Sequence, residues 1–435
     1  MAKWKRVLWA LLALVILFGL YTGYAWMDER ENRVYTGVQW LIARLTGNGD
    51  EAVEWTRREV PQVFIATRDG VGGKLYKRTG YVPATMEIAC DGESTLFGEG
   101  SVKVLGNSTA FGPKQPYNFK FDEEQDVLGM GAARKWCLLA NCFDPTLMRN
   151  YLAMEFAQHL GLAYTSSQCF VELWMDGSYK GCYVLMEPVE VKSTRVDIDP
   201  DDGDFLIEYE REREEEDVIY VTTSNGMRFA ISEPEEPTEA QQAEILSALE
   251  EAIDVLEGGD YAQVMGRIDV DSFARYLLLN ALFKPKDFEY SSVFFYFQDG
   301  VLHAGPAWDY DLSTGNSNPP EVTCTDGLYA SKAHWYLLLM AYPEFRQSVA
   351  ELHEAEQASI AELYGRNGRI DALRQEYADV FARNFEEAGW DVTELYSTLM
   401  RRPDRTFDQN VNFLQSWLRD RDEWLRQHWT AAHEG

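Results

Sequence analysis

Positive charge is what this sequence is shortest of. Its 435 residues carry 40 Lys and Arg against 71 Asp and Glu, a net charge of −31. A protein that grips a phosphate backbone needs a basic footprint, so nucleic acid is excluded as a partner. The acid gathers in two stretches, Asp199 to Asp217 and Glu233 to Glu239. These read as solvated loops and helix faces, or as a charge lure for a basic substrate segment. Histidine is scarce too, and no paired-His zinc motif occurs among the six. The six cysteines (Cys90, Cys137, Cys142, Cys169, Cys182 and Cys324) contain no C-x-x-C spacing, which argues against structural zinc. There is no Gly-x-Ser-x-Gly elbow and no Ser/His/Asp set, so triad hydrolases are set aside. No internal repeat is visible.

One long hydrophobic run does exist. Lys3, Lys5 and Arg6 precede an apolar stretch from Val7 to Trp26, followed by Asp28, Glu29 and Glu31. About 20 apolar residues match a bilayer core. Basic residues before the run predict the N-terminus inside and the body outside. The alternative is a cleaved signal peptide with Gly23-Tyr24-Ala25 as its small-x-small site. Either way the body is expected to be extracytoplasmic, with an anchor giving a single-pass protein of the cell membrane. In that compartment Cys169 and Cys182, flanking an Asp176-Gly177 turn, could pair, as could Cys137 and Cys142. Buried free thiols are the other option.

The expected organisation is a membrane segment at 1–26, a helical linker at 27–61, a β-rich lobe at 62–188 and a mainly helical lobe at 189–435. Strand alternation begins at Val63 and continues through YVPATMEIACDG and GSVKVLGNST. In YNFKFDE it sets Tyr117, Phe119 and Phe121 on one face, with Asn118 and Lys120 on the other. Asp144-Pro145 reads as the cap and first residue of a helix ended by Gly161. A hairpin over Gln168–Met186 follows, then a strand-like segment over Asp217–Phe229. Helices are expected over Glu239–Leu256, Asp269–Phe283 and Asn410–Trp429.

The chemistry concentrates between Asp287 and Asp311. Asp287 precedes a strand, an Asp299-Gly300 turn and a second strand, and Trp308-Asp309-Tyr310-Asp311 lies just beyond. A hairpin folds the chain back, so acids before and after it can converge. Convergent carboxylates are hard ligands for Mg2+. Further upstream, Gly106-Asn107-Ser108-Thr109 is a small-residue turn whose backbone N–H groups could meet phosphate, with Lys114 and Lys120 nearby as point charges.

Taken in order, GNSTAFGPKQPYNFKFD, VLGMGAARKWCLLANCFDPTLMRNYLAMEFAQHLGL, FVELWMDGSYKGCYVLMEPVE, GDFLIEYERE, LFKPKDFEYSSVFFYFQDG, HAGPAWDYDLSTGN and NFLQSWLRDRDEWLRQ resemble the CotH kinase family, the spore-coat protein H-like atypical protein kinases. The resemblance runs from about residue 62 to 430. It implies an α+β, two-lobed kinase-like fold that uses ATP with Mg2+ or Mn2+ and a protein substrate with Ser/Thr acceptors. Asp287 matches the family's catalytic acid. Asp309 matches its metal-binding acid, with Asp311 a second candidate and Ser292 where ordinary kinases place a metal-binding Asn. Lys120, and alternatively Lys114, matches the nucleotide-binding lysine. Glu155 is a candidate partner for Lys120, and Glu187 falls at the inter-lobe hinge. Two residues depart from the pattern. Leu105 stands where family members carry arginine before Gly-Asn-Ser, and Ser292 is a weak neutral ligand. They keep open a non-catalytic, surface-displayed binding or coat protein with a degenerate kinase-like fold.

Overall fold

The computed structural model describes residues 57–211, 218–330, 333–390 and 405–429. The expected membrane segment and nearly all of the expected linker lie outside these residues. Among the described residues no helix is long and apolar enough to cross a membrane.

The first half of the described chain is built on seven strands: β1 (Gln62–Thr67), β2 (Val82–Cys90), β3 (Glu93–Val104), β4 (Tyr117–Asp126), β5 (Ala132–Leu139), β6 (Gln168–Met175) and β7 (Ser178–Met186). They close into a barrel in the order β1-β2-β3-β4-β5-β7-β6. The closing pair, β1 with β6, is parallel, and every other pair is antiparallel. Closure leaves no strand with an unpaired edge. Alternation decides which side chains fill it: Val63 and Ile65 of β1 and Phe119 and Phe121 of β4 are buried in one core with Trp136 and Leu185. Asn118 and Lys120 of β4 face out of that core.

Here the structure takes one of the two options open for the cysteines and departs from one expected helix start, each for a physical reason. The Asp176-Gly177 turn does have two residues, but a register shift between Leu173 and Trp174 puts Cys169 opposite Leu185 and Cys182 opposite Glu172. That extra step sends the two cysteines to opposite faces, and all six cysteines are unpaired thiols. The helix after β5 starts later than expected. Asp144 Oδ1 accepts the Thr146 N–H and hydroxyl at 2.9 and 2.7 Å, and Leu147 takes a left-handed φ of 61°. The helix, α1, covers Arg149–His159, and Asp144 Oδ2 accepts the Arg149 N–H at 2.7 Å.

The second half is mainly helical but has a sheet of its own. β8 (Phe205–Tyr209), β9 (Tyr220–Thr222), β10 (Arg228–Glu233), β11 (Val293–Gln298) and β12 (Val301–Ala304) form five strands in the order β12-β11-β8-β10-β9. The β11–β12 hairpin turns at Asp299 and Gly300, both with positive φ (52° and 83°), the conformation an Asp-Gly turn supplies. This half also carries α2 (Glu239–Gly258) and α3 (Val270–Phe283), which pack on the sheet, α4 (Pro343–Ala355), α5 (Ala378–Glu386), which packs on β7 of the barrel, and α6 (Phe407–Trp429). Thr238 and Gln241 form a reciprocal cap at the start of α2. α3 is buried almost all round and packs on α4 and α6, so it is the axis of the larger core. The molecule is thus α+β, β-rich in its N-terminal part and helical in its C-terminal part.

Candidate active site

A cleft of about 620 Å³ opens between the barrel and the five-stranded sheet. Its barrel side is the end of β3 and the loop that follows. Gly106 has a φ of 83°, and a Cβ there would lie 2.1 Å from Thr109 Oγ1, so only glycine lets the loop fold this tightly. Asn107 and Ser108 line the cleft beside it. The Asn107 side-chain oxygen Oδ1 accepts a hydrogen bond from Lys77 Nζ, which brings a cation to the loop.

The opposite wall carries the acids. Asp287, Ser292, Asp309 and Asp311 all line the cleft. Asp287 sits on a short 3-10 turn, Lys286–Glu289, and its Oδ1 lies 3.3 Å from Lys286 Nζ. Ser292 and Asp309 both adopt left-handed backbone, with φ of 63° and 66°. Strained conformations of this kind persist where the surroundings over-determine them. The Ser292 hydroxyl donates to Asp309 Oδ2 at 3.3 Å, and the Ser292 N–H donates to Glu208 Oε1 at 3.0 Å. Glu208 comes from β8, opposite Phe294 of β11.

Burial and then the neighbouring charge of Asp287 push the Asp309 carboxyl above the usual carboxylate range, against bonds from Ser292 and Asp311. Asp309 does touch water within the cleft, but protein crowds it on the wider scale. The Asp311 carboxyl is held well above that range by burial, then by the charges of Asp309, Asp144 and Asp287. Like charges forced together in poor solvent are relieved by protons or by a cation. Among the described residues no cluster of three or more His, Cys, Asp or Glu forms a ready-made metal cage. Mg2+ does not need one, since it normally takes one or two carboxylates and completes its shell with water and phosphate. The hard oxygens of Asp309 and Asp311 fit that pattern.

Four residues singled out from the sequence are placed elsewhere. Lys120 is not among the residues lining the cleft. Lys103 is, directly across from Asn118, which lines it as well. Lys120 lies two residues further along β4, about 7 Å away. Lys103 also covers the Tyr81 ring at 4.7 Å. Lys114 is wholly buried, donating to the Cys182 carbonyl and, at 2.8 Å, to Asn384 Oδ1, with its ammonium over the Tyr183 ring. Burial lowers its pKa to about 8. Glu155 is paired not with Lys120 but with Arg369, through two bonds of 2.7 and 2.6 Å. Glu187 is buried and accepts the Ser167 N–H at 2.8 Å, with Arg195 alongside.

Lys77, Lys103, Lys286, Glu208 and Asn150 also line the cleft and were not singled out beforehand. The strand alternation that exposed Asn118 offered a signal for Lys103, and Glu208 lay within a quoted motif. Leu105, Leu139, Met154 and Met186 give part of the lining an apolar character. The arrangement therefore joins a small-residue loop, lysines and crowded carboxylates around a partly apolar hollow. Residues 102–425 match the family described as CotH kinase protein. No curated protein matches the chain.

Proposed function

We propose, for a chain that belongs to the CotH kinase family, that the cleft binds ATP with a divalent cation and that the γ-phosphoryl group passes to a serine or threonine hydroxyl of a protein. Membership makes the protein kinase-like. The observation that carries the finer reading is the meeting of Asp287, Asp309 and Asp311 in one cleft with the Gly106–Thr109 loop. The loop would face the phosphates, with Lys103 and Lys77 supplying charge on that side. Leu105, Leu139, Met154 and Met186 would pack against the base.

Asp287 would accept the hydroxyl proton as the acceptor oxygen attacks the γ-phosphorus. The bond from that phosphorus to the bridging oxygen breaks, and ADP leaves with the electron pair. Asp309 and Asp311 would hold the divalent cation, which would supply positive charge to offset that of the phosphates. Lys286 sets a cation beside Asp287. Such catalysis is chiefly positioning and charge stabilisation. We further place the body outside the cytoplasm, tethered by the apolar run at 7–26.

A second reading, a non-catalytic surface-displayed protein, is favoured by Leu105, which puts an apolar side chain on the cleft wall where the family pattern has a guanidinium. Incubation with labelled ATP and Mg2+ or Mn2+ tests the two. Metal-dependent autophosphorylation or transfer to a Ser/Thr-rich acceptor is expected. Nucleotide binding without transfer to any acceptor would favour the second reading.

A further inference from the structure

The loop that carries Asp309 and Asp311 is held by the first two residues of α1, through bonds to Tyr310 and Thr314. The Tyr310 N–H, between the two acids, donates to Asn150 Oδ1 at 2.6 Å. Asn150 Nδ2 is engaged in turn, donating to Asn141 Oδ1 at 3.1 Å. Three residues beyond Asp311, the Thr314 hydroxyl accepts from Arg149 Nε at 2.8 Å. Arg149 is itself locked by Asp144, through Nη1 at 2.5 Å and through its own backbone N–H at 2.7 Å. Arg149, Asp144 and Thr314 are at most 1% exposed, and Asn150 is 5% exposed. The far side of the loop is fixed by the Tyr310 hydroxyl, which donates to Asn280 Oδ1 of α3 at 3.0 Å.

We propose that Arg149 and Asn150 are positioning residues: α1 sets the geometry of the two metal-binding acids by gripping the loop on either side of Asp311. Buried hydrogen bonds of this kind are rigid because no water competes for them. Asp309 holds a left-handed backbone, a conformation that aspartate tolerates but that still costs more than the ordinary ones, and the grip from α1 helps to keep it. Glu155, about one and a half turns further along α1, faces Arg369 and leaves the task to the helix start. The proposal rests on the assignment of Asp309 and Asp311 as cation ligands.

The test titrates Mn2+ against the full-length chain in the presence of a saturating non-hydrolysable ATP analogue, following free Mn2+ by electron paramagnetic resonance. Asn150→Ala should weaken Mn2+ binding roughly tenfold to hundredfold, the range found when partners behind metal ligands are removed. Binding of the analogue without metal, followed by calorimetry, should stay within a few-fold. Wild-type Mn2+ affinity in Asn150→Ala, or an equal loss with and without metal, overturns the proposal. Should that variant fail to fold, Thr314→Val keeps the shape and removes the acceptor of Arg149. It should shift Mn2+ affinity in the same direction, and unchanged affinity is again the overturning result. Asp309→Ala separates the two levels. Mn2+ binding lost in Asp309→Ala but intact in Asn150→Ala removes only the positioning role. No Mn2+ binding in the wild type removes the cation assignment itself.

Discussion

A carboxylate that orients an attacking hydroxyl acts in the transition state more than in the ground state. Asp287 is given that task, so Asp287→Asn should lower kcat by roughly 10²-fold or more with ATP affinity within a few-fold. Phosphotransfer assays and ATP titration on the one variant decide it, and near wild-type turnover would make Asp287 a structural acid. The lysines make a second residue-scale test. Lys103 lines the cleft and Lys120 does not. Lys103→Ala should therefore raise the KM for ATP about tenfold, the scale of one charge-assisted contact, while Lys120→Ala leaves it nearly unchanged. The reverse order would restore Lys120 to the nucleotide. Which lysine reaches the cleft was legible only in part. Alternation gave the outward face of β4, but position along the strand depends on the β3–β4 register, which pairs Lys103 with Asn118.

At the scale of elements, local chemistry was readable and long-range pairing was not. The Asp299-Gly300 hairpin and the alternation of Tyr117, Phe119 and Phe121 appear as the sequence pattern predicts. Closure of the barrel pairs β1 with β6, more than a hundred residues apart in the chain, and the sheet that holds β11 recruits β8. Such pairings leave no periodic trace in either segment alone. The late start of α1 is hidden for another reason: Asp144-Pro145 carries the pattern of a helix cap, whereas the Asp144 oxygens serve a turn and a buried arginine. Lys114 belongs to this scale because it ties the loop after β3 to α5 through Asn384. Its native pKa is lowered from 10.5 to about 8, with burial the leading cause. Below pH 8 both folded and unfolded chains hold the proton, and the fold bears the cost of a buried charge. Between pH 8 and 10.5 the unfolded chain binds more protons, so this group makes stability rise with pH. Denaturant unfolding of wild type and Lys114→Met at pH 7 and pH 10 should show the difference move in favour of the wild type by on the order of 2–3 kcal/mol. A constant difference would mean that Lys114 stays charged or that water reaches it.

For the whole molecule, the formal charge of −31 and the apolar run at 7–26 bear on where the protein works. An anchored, exported chain should stay with membranes through carbonate extraction, its body open to protease added from outside. Recovery mainly in the soluble cytoplasmic fraction would overturn both the anchor and the export. The run stands out in the sequence because its length matches what a bilayer core requires. The depth of the cleft was not, since it arises where barrel, α1 and second sheet meet.

The unpaired cysteines have a consequence for how such a chain matures. Only the thiolate attacks a disulfide or an oxidant, and burial pushes the thiols of Cys137, Cys169 and Cys182 up to about 12 and that of Cys142 higher still. Near neutral pH almost none of these sulfurs is reactive. Were the chain exported, as proposed, these four sulfurs would stay inert in an oxidising surrounding once folded, without a crosslink among them. The hazard is confined to the interval before the barrel closes, when the same four sulfurs are open to scrambling. In such a compartment fast folding, not a crosslink, would protect them.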